Sequence, residues 1–175
     1  MTASANYGTT ARTLHWLIVA LLVVQYLVGW FMPDIHRGMQ PGAPMFLHVS
    51  VGMLILVLIL LRLAWRLTHP VAPAAALAPW QRLAAAGVHW LLYLMVFLTT
   101  MSGWNFVAVR DWQVKLFALV PLPSVALPGA DFLARGHWHQ LFEYALLGLI
   151  GLHVAAAVLH VFVYRDGVMQ RMLRG

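Results

Sequence analysis

The chain contains no cysteine among its 175 residues. Without thiols it cannot form disulfide bonds, ligate an iron–sulfur cluster or attach a haem covalently through a C-x-x-C-H motif. A redox centre in this protein must therefore be held by other side chains and without covalent links, as a b-type haem is.

Charged residues are also scarce. Only 9% of the residues are Asp, Glu, Lys or Arg and 62% are hydrophobic, whereas a soluble domain has roughly 25% charged residues. This composition excludes an ordinary soluble enzyme and predicts a membrane protein. The length predicts a single domain of about four helices over residues 1–175. No basic, cleavable leader precedes the first apolar segment, so we expect that segment to remain as a membrane anchor.

Four apolar segments are long enough to cross a hydrocarbon layer of about 30 Å. They cover residues 13–32, 47–67, 83–104 and 138–164. The predicted fold is therefore all-α, an integral membrane four-helix bundle. The third connection, residues 105–136, includes an amphipathic stretch from Asp111 to Phe117 that we interpret as a short helix at the membrane interface.

The distribution of basic residues predicts the orientation of this bundle. With a cytoplasmic N-terminus, seven basic residues lie on the cytoplasmic side and four on the outer side. The positive-inside rule favours this arrangement, which places both termini in the cytoplasm. The formal net charge of +6 is explained by orientation and by contact with anionic membrane lipid, so nucleic acid is not an expected partner.

Nine histidines in so apolar a chain indicate a functional site, because an ionisable group inside a membrane is costly unless it is paired or coordinated. The most informative pair is His139 and His153. They lie 14 residues apart, close to four helical turns, so both side chains point the same way, about 21 Å apart along the axis. This stripe suits a protein that carries electrons across the membrane between two haems.

Depth in the membrane sorts the remaining histidines into partners for this pair. His48 begins the second segment on the outer side, so it can face His139. His15 and His89 both lie near the inner side, and depth alone leaves either one as the partner of His153. Iron with two neutral imidazoles is six-coordinate, a state suited to electron transfer.

Small residues lie where a porphyrin needs room between helices. The same residues are equally explained by close packing of one helix against another. They are Gly52, Gly87, Gly148 and Gly151.

The motifs around the histidines are similar to those of a known family. They are Arg12-Thr-Leu-His15-Trp16, His48, Leu61-Arg62-Leu-Ala-Trp-Arg66, Val88-His89-Trp-Leu-Leu-Tyr93, the spacing of His139 and His153, and Gly151-Leu-His153-Val-Ala-Ala-Ala157 with His160. Together, over nearly the whole chain, they resemble the bacterial cytochrome b561 family.

The resemblance implies a multi-pass protein of the bacterial inner membrane with two non-covalent b haems. It implies that His15 and His153 are the axial ligands of the inner haem, and that His48 and His139 ligate the outer one. His89 then becomes a neighbour of the inner haem. Arg62 and Arg66, one turn apart, are candidates to pair with haem propionates, since a guanidinium binds carboxylates through two parallel hydrogen bonds.

The resemblance also implies an activity, the oxidation of superoxide at the periplasmic face coupled to the reduction of ubiquinone within the membrane. A basic outer surface attracts a small anion and raises its encounter rate with the protein. The candidates for this steering are Arg37, Arg110, Lys115 and Arg135.

A quinone site needs a proton donor near the inner haem. The resemblance points to His160, which follows His153 by seven residues on the same face of the helix. Family members carry a lysine before the third helix that this chain lacks, and Arg82 is the nearest base. Thr10 and Thr13 are weaker candidates for the same pocket.

Two other functions fit parts of this pattern. The first is a cytochrome b membrane anchor that passes electrons between a dehydrogenase or hydrogenase partner subunit and the quinone pool. The second is a haem-free membrane protein that uses its histidines to move protons or bind a metal ion.

Overall fold

Four long helices make up most of the structure. The computed structural model describes residues 6–36, 39–74, 77–110, 112–123 and 136–173. The long helices are α1 (Thr9–Trp30), α2 (Ala43–Thr68), α3 (Pro79–Val109) and α4 (Gly136–Leu159). α4 continues as a π-helical turn, His160–Tyr164, and a short helix α5 (Gln170–Leu173) follows. Each long helix, α4 together with its π turn, is long and apolar enough to cross a membrane.

The helices begin two to four residues before the predicted apolar segments do. α2 and α3 both have a proline within their first two positions, where the missing N–H has no intrahelical partner in any case. At the start of α3, the Gln81 side chain accepts a hydrogen bond of 2.8 Å from the Ala78 backbone N–H. The segments predicted from the sequence leave out these first turns.

The helices pack in chain order, α1 on α2, α2 on α3 and α3 on α4. α2 is the most enclosed of the four, and the central core contains residues from every long helix. Among the described residues, α1 and α4 are not closely packed along their backbones. The buried core residues are Ile18, Val51, Ile55, Leu56, Ile59, Tyr93, Val96 and Leu146.

The chain between α3 and α4 forms a β-hairpin, so the interface helix predicted for this stretch is wrong over its described residues. The strands β1 (Lys115–Leu116) and β2 (Val120–Pro121) pair antiparallel. Before them, Trp112 and Val114 are buried and Gln113 is exposed, which is the two-residue period of extended chain. We call the end of the bundle that carries this hairpin the hairpin side. The opposite end, where α1 begins and α4 ends, is the terminal side.

Ser50 of α2 anchors the hairpin to the bundle. Its hydroxyl accepts a hydrogen bond of 2.9 Å from the Phe117 N–H and donates one of 2.7 Å to the Phe46 carbonyl. Phe117 and Ala118 both have positive φ, 50° and 60°, a conformation that is strained for residues other than glycine. The hydrogen bond that Phe117 donates to Ser50 therefore stabilises a turn that the local sequence does not favour.

We expect Ser50→Ala to loosen the hairpin by about 1 kcal/mol, the net contribution of one such hydrogen bond. Faster hydrogen exchange of the hairpin amides would show this loss. Thr68→Val is the matched control, because the Thr68 hydroxyl bonds carbonyls of its own helix at the other end of α2. Equal exchange of the hairpin in both variants would contradict the anchoring role.

Candidate functional site

The four predicted haem ligands form two facing pairs. The ring centres of His48 and His139 are 6.1 Å apart at an interplanar angle of 78°. Those of His15 and His153 are 6.3 Å apart at 83°. Two imidazoles that bind one metal ion from opposite sides have ring centres about 6 Å apart, because each metal–nitrogen bond is about 2 Å long and each ring centre lies about 1 Å further. Both pairs therefore match the spacing that an axially ligated iron requires.

His89 lies beside the terminal-side pair. Its ring centre is 5.3 Å from that of His153, which is shorter than two imidazoles across one iron allow. Its side chain also lies in hydrogen-bonding range of the Ala85 carbonyl. The spacing therefore favours His15 over His89 as the residue opposite His153, an alternative that depth in the membrane leaves open.

On the hairpin side, α3 fixes the orientation of the His139 ring. Nδ1 lies 3.0 Å from the Thr99 carbonyl oxygen and 3.1 Å from the Ser102 hydroxyl. Since a carbonyl only accepts hydrogen bonds, Nδ1 carries the proton and donates it. Nε2 is then the nitrogen that has a lone pair for a metal, an arrangement typical of ligating histidines.

His48 has a different environment. Its Nε2 lies 3.1 Å from the side-chain nitrogen of Gln25. Among the described residues, His48 Nδ1 and Gln25 Oε1 are both buried without a hydrogen-bond partner. Unpaired buried polar atoms are rare in folded proteins and often mark the place of a ligand. One of these atoms belongs to the hairpin-side pair and the other to the amide that contacts it.

Two glycines let these rings lie against neighbouring helices. A Cβ atom on Gly103 would lie 2.9 Å from His139 Cε1, and one on Gly29 would lie 3.4 Å from His48 Cε1. Only glycine leaves enough room at Gly103, because real Cβ atoms do not approach other atoms so closely. Both residues therefore let a hairpin-side imidazole pack directly against the backbone of a neighbouring helix. We call them glycine backstops.

The glycines that the sequence singled out have other surroundings. A Cβ on Gly52 would lie 3.3 Å from the Gln25 side-chain nitrogen, so this residue does border the site. Added Cβ atoms at Gly87, Gly148 and Gly151 would meet no neighbouring atom of the described chain within 4 Å. The interpretation of these three as close-packing residues finds no support, and the sequence missed Gly29 and Gly103.

The hairpin-side pair lines an apolar cavity between the helices. Besides the two imidazoles, its wall contains the Gln25 amide, Gly103 and the carboxyl-bearing residue Glu143. Apolar walls with a few placed polar groups are typical of cofactor sites. Facing imidazoles, unpaired polar atoms and glycine backstops together fit a haem. The apolar lining includes Leu22, Met45, Val49, Val96, Val107 and Leu146.

The predicted propionate contacts are at the terminal side. Arg62 donates a hydrogen bond of 2.6 Å to the Ala11 carbonyl, and its charge acts on His15, His89 and His153. The Arg66 guanidinium lies 5.6 Å from the Trp90 ring centre and 5.7 Å from that of Tyr93. Arg62 is thus adjacent to the terminal-side histidines, whereas Arg66 stacks on aromatic rings of α3.

The residues predicted for a quinone site also lie at the terminal side, and each of them contacts a different neighbour. The His160 ring bonds the Asp166 carboxylate, a partner that the sequence did not reveal. The Arg82 Nε–H donates to the Leu77 carbonyl at 2.9 Å. Thr13 lines a shallow cleft between α1 and α5, and Thr10 is exposed.

Two of the four predicted steering residues can be placed on the hairpin side. The Arg110 side chain is exposed, with its guanidinium carbon 3.4 Å from the Phe106 ring centre. Lys115 is exposed at the start of the hairpin. The predictions for Arg37 and Arg135 lie outside the described residues.

Sequence reasoning missed several residues that shape the site, among them Gln25, Thr99 and Ser102. Gln25 could have been found, because a lone amide in an apolar membrane helix is itself a functional signal. Thr99 contributes a backbone carbonyl, which any residue type provides, so no sequence signal marks it.

Comparisons with known proteins agree with this geometry. Residues 6–175 match the family described as prokaryotic cytochrome b561. Cytochrome b561 homolog 2 of Escherichia coli (strain K12) is 28% identical over 96% of this chain and 91% of its own length. Cytochrome b562 of Cereibacter sphaeroides is 30% identical over 99% of each chain. A Yersinia pestis protein named probable superoxide oxidase CybB is 28% identical over 96% of each chain.

Proposed function

The chain belongs to the prokaryotic cytochrome b561 family, and on this premise we propose that it is a superoxide:ubiquinone oxidoreductase with two b haems. As a family member it is a multi-pass protein of the bacterial inner membrane that binds b-type haem and transfers electrons. The proposal adds the electron donor, the acceptor and the ligands. The observation that carries it is the pair of facing histidine couples, one at each side of the bundle.

His48 and His139 would hold one haem, and His15 and His153 the other. Bound haem would supply an iron that gains and loses one electron at a time, and the four histidines would be the residues that hold the two haems. The protein supplies the ligands and their alignment. Because both α4 histidines project from one stripe, they lie about 21 Å apart along the helix axis, which spans most of the hydrocarbon layer.

The terminal side is cytoplasmic in this proposal, and the hairpin side faces the periplasm. The count of seven basic residues against four supports this orientation. Of the terminal-side residues, Arg62 is proposed to neutralise a haem propionate, and its proximity to the three histidines there supports this role. The whole chain acts as one domain.

Superoxide would then react at the hairpin side. Arg110 and Lys115 expose their side chains there, and such cations attract a small anion. Arg37 and Arg135 add to this charge by their position in the sequence. The similarity to a protein named probable superoxide oxidase supports superoxide as the donor.

Ubiquinone would bind at the terminal side, near His153. His160, on the same face of α4, is proposed to hydrogen-bond a quinone carbonyl. Thr13, in the cleft next to α5, together with Thr10 and Arg82, would border the same region. Reducing one ubiquinone to ubiquinol takes two electrons, which two superoxide ions supply as they become O₂, and two protons.

Stopped-flow mixing tests this function. We expect superoxide to reduce the haems of the oxidised protein on the time scale of stopped-flow mixing. With added ubiquinone, the haems should be reoxidised, so that the protein consumes superoxide over many turnovers. The rate should fall as ionic strength rises, because salt screens the attraction between the anion and the hairpin-side cations. Reduction by a neutral reductant is the control, since its rate should not depend on salt.

Haems that dithionite reduces and superoxide does not would contradict the proposal. That result, with reduction by a ubiquinol analogue retained, would favour the other function, an anchor that exchanges electrons with a partner subunit. A colourless protein after expression with ample haem would exclude both functions.

A further inference from the structure

The C-terminal end of α4 folds back on itself and closes a contact between His160 and Asp166. His160 Nδ1 lies 2.5 Å from Asp166 Oδ2. The second carboxylate oxygen, Oδ1, accepts a hydrogen bond of 3.1 Å from the Val168 backbone N–H. The side chains are only 16% and 9% exposed, so water screens this contact weakly.

The backbone is shaped to make this contact. The last turn of α4, His160–Tyr164, is π-helical, a geometry that is rare in proteins. Arg165 then has φ +51° and ψ +38°, a left-handed conformation that is strained for a residue with a side chain. Gly167 follows with φ +76°. Arg165 lies between the π turn and Asp166, so its left-handed conformation directs Asp166 toward His160, and Gly167 turns the chain after the contact.

The contact determines which nitrogen of His160 is available. A carboxylate only accepts hydrogen bonds, so His160 Nδ1 carries a proton and donates it to Asp166. Nε2 is then the ring nitrogen that the Asp166 contact does not occupy. A carboxylate in this position also orients the ring, as an aspartate does for the histidine of a catalytic triad.

We propose that Asp166 is a positioning residue for proton transfer from His160 to the bound quinone. This inference rests on the proposed ubiquinone reduction. The N–H bond at Nε2 of the imidazolium breaks, and an O–H bond forms on the quinone carbonyl oxygen as that quinone takes up electrons. His160 becomes the neutral imidazole, and its Nδ1–H remains hydrogen-bonded to Asp166. Water on the terminal side then returns the proton to Nε2.

The experiment starts from protein reduced in advance and mixed with a water-soluble ubiquinone analogue. In the wild type, the haems reoxidise. Asp166→Asn removes the negative charge at nearly constant size, and we expect reoxidation at saturating quinone to slow about 100-fold, the lower range for loss of general acid catalysis. The quinone concentration at half-maximal rate should change less than twofold, and reduction by superoxide should not change.

Two further variants separate proton transfer from a structural role. Asp166→Glu keeps the carboxylate and should recover at least a tenth of the wild-type rate. Asp166→Ala should be as slow as Asp166→Asn and should be accelerated by formate, a small acid that can take the place of the lost carboxylate, and not by chloride. Asp34→Asn is the matched control, because it makes the same chemical change at an exposed residue far from α4's C-terminal end.

The outcomes distinguish the two levels of the proposal. Reoxidation of Asp166→Asn at the wild-type rate would overturn the role of Asp166. So would a slow variant with weakened quinone binding and no response to formate, because Asp166 would then only shape the site. Wild-type haems that ubiquinone fails to reoxidise would overturn the proposed function, and this inference with it.

Discussion

His139→Ala is expected to lose the hairpin-side haem and to keep the terminal-side one. In the proposed ligation, His139 provides one of the two ligands on that side, and axial ligation is the main bond that holds a non-covalent haem. His153→Ala should give the reverse result. The haem content, measured as the pyridine haemochrome against protein concentration, should fall from two haems per chain to one in each variant.

His15 and His89 provide the internal comparison. If the ring spacing of 6.3 Å between His15 and His153 marks the ligand pair, His15→Ala loses the terminal-side haem and His89→Ala keeps both. The opposite result would exchange the roles of these two residues. A variant without His139 and His153 that still binds two haems would refute the whole assignment of ligands.

Gly103→Ala is expected to have the second largest effect. The new methyl group would lie 2.9 Å from His139 Cε1, so the ring must move. It cannot move freely, because its Nδ1–H is bonded to the Thr99 carbonyl of the same helix that carries Gly103. We expect loss of most of the hairpin-side haem, seen in its absorption band, and a reduction by superoxide slowed at least tenfold.

A graded set of substitutions tests this steric explanation. Gly29→Ala should have a milder effect, since its Cβ would lie 3.4 Å from His48 Cε1. Gly148→Ala should have none, because this residue lies about two and a half turns after His139, on the opposite face of α4, and its added Cβ meets no described neighbour. An unchanged spectrum in Gly103→Ala would show that the ring has more room than the structure gives it.

The two histidine pairs are surrounded by different kinds of residues. On the hairpin side, glycine backstops and the Thr99 carbonyl hold the rings. On the terminal side, the charge of Arg62 acts on three histidines, and the fold-back of the chain at Asp166 lies beyond them. The proposal therefore makes the hairpin side a fixed ligand site, and it makes the terminal side a site where ligands lie near a proposed proton donor.

Much of this protein is determined by the sequence alone, because the relevant information is local. Scarce charge and four long apolar runs determine a membrane bundle. The spacing of 14 residues places His139 and His153 on one face of a helix, since helical hydrogen bonds repeat regularly along the chain. The motifs around them identify the family without any contact between helices being known.

Other features were decided only by the tertiary structure. Which histidine opposes His153 depends on the lateral distance between helices, and apolar side chains of similar size leave that distance unmarked in the sequence. Gly103 became a backstop only because α4 packs its histidine against that turn of α3. Asp166 became the partner of His160 through a π turn and a left-handed residue at Arg165, a strained backbone that local propensity does not favour and that contacts between distant residues must hold.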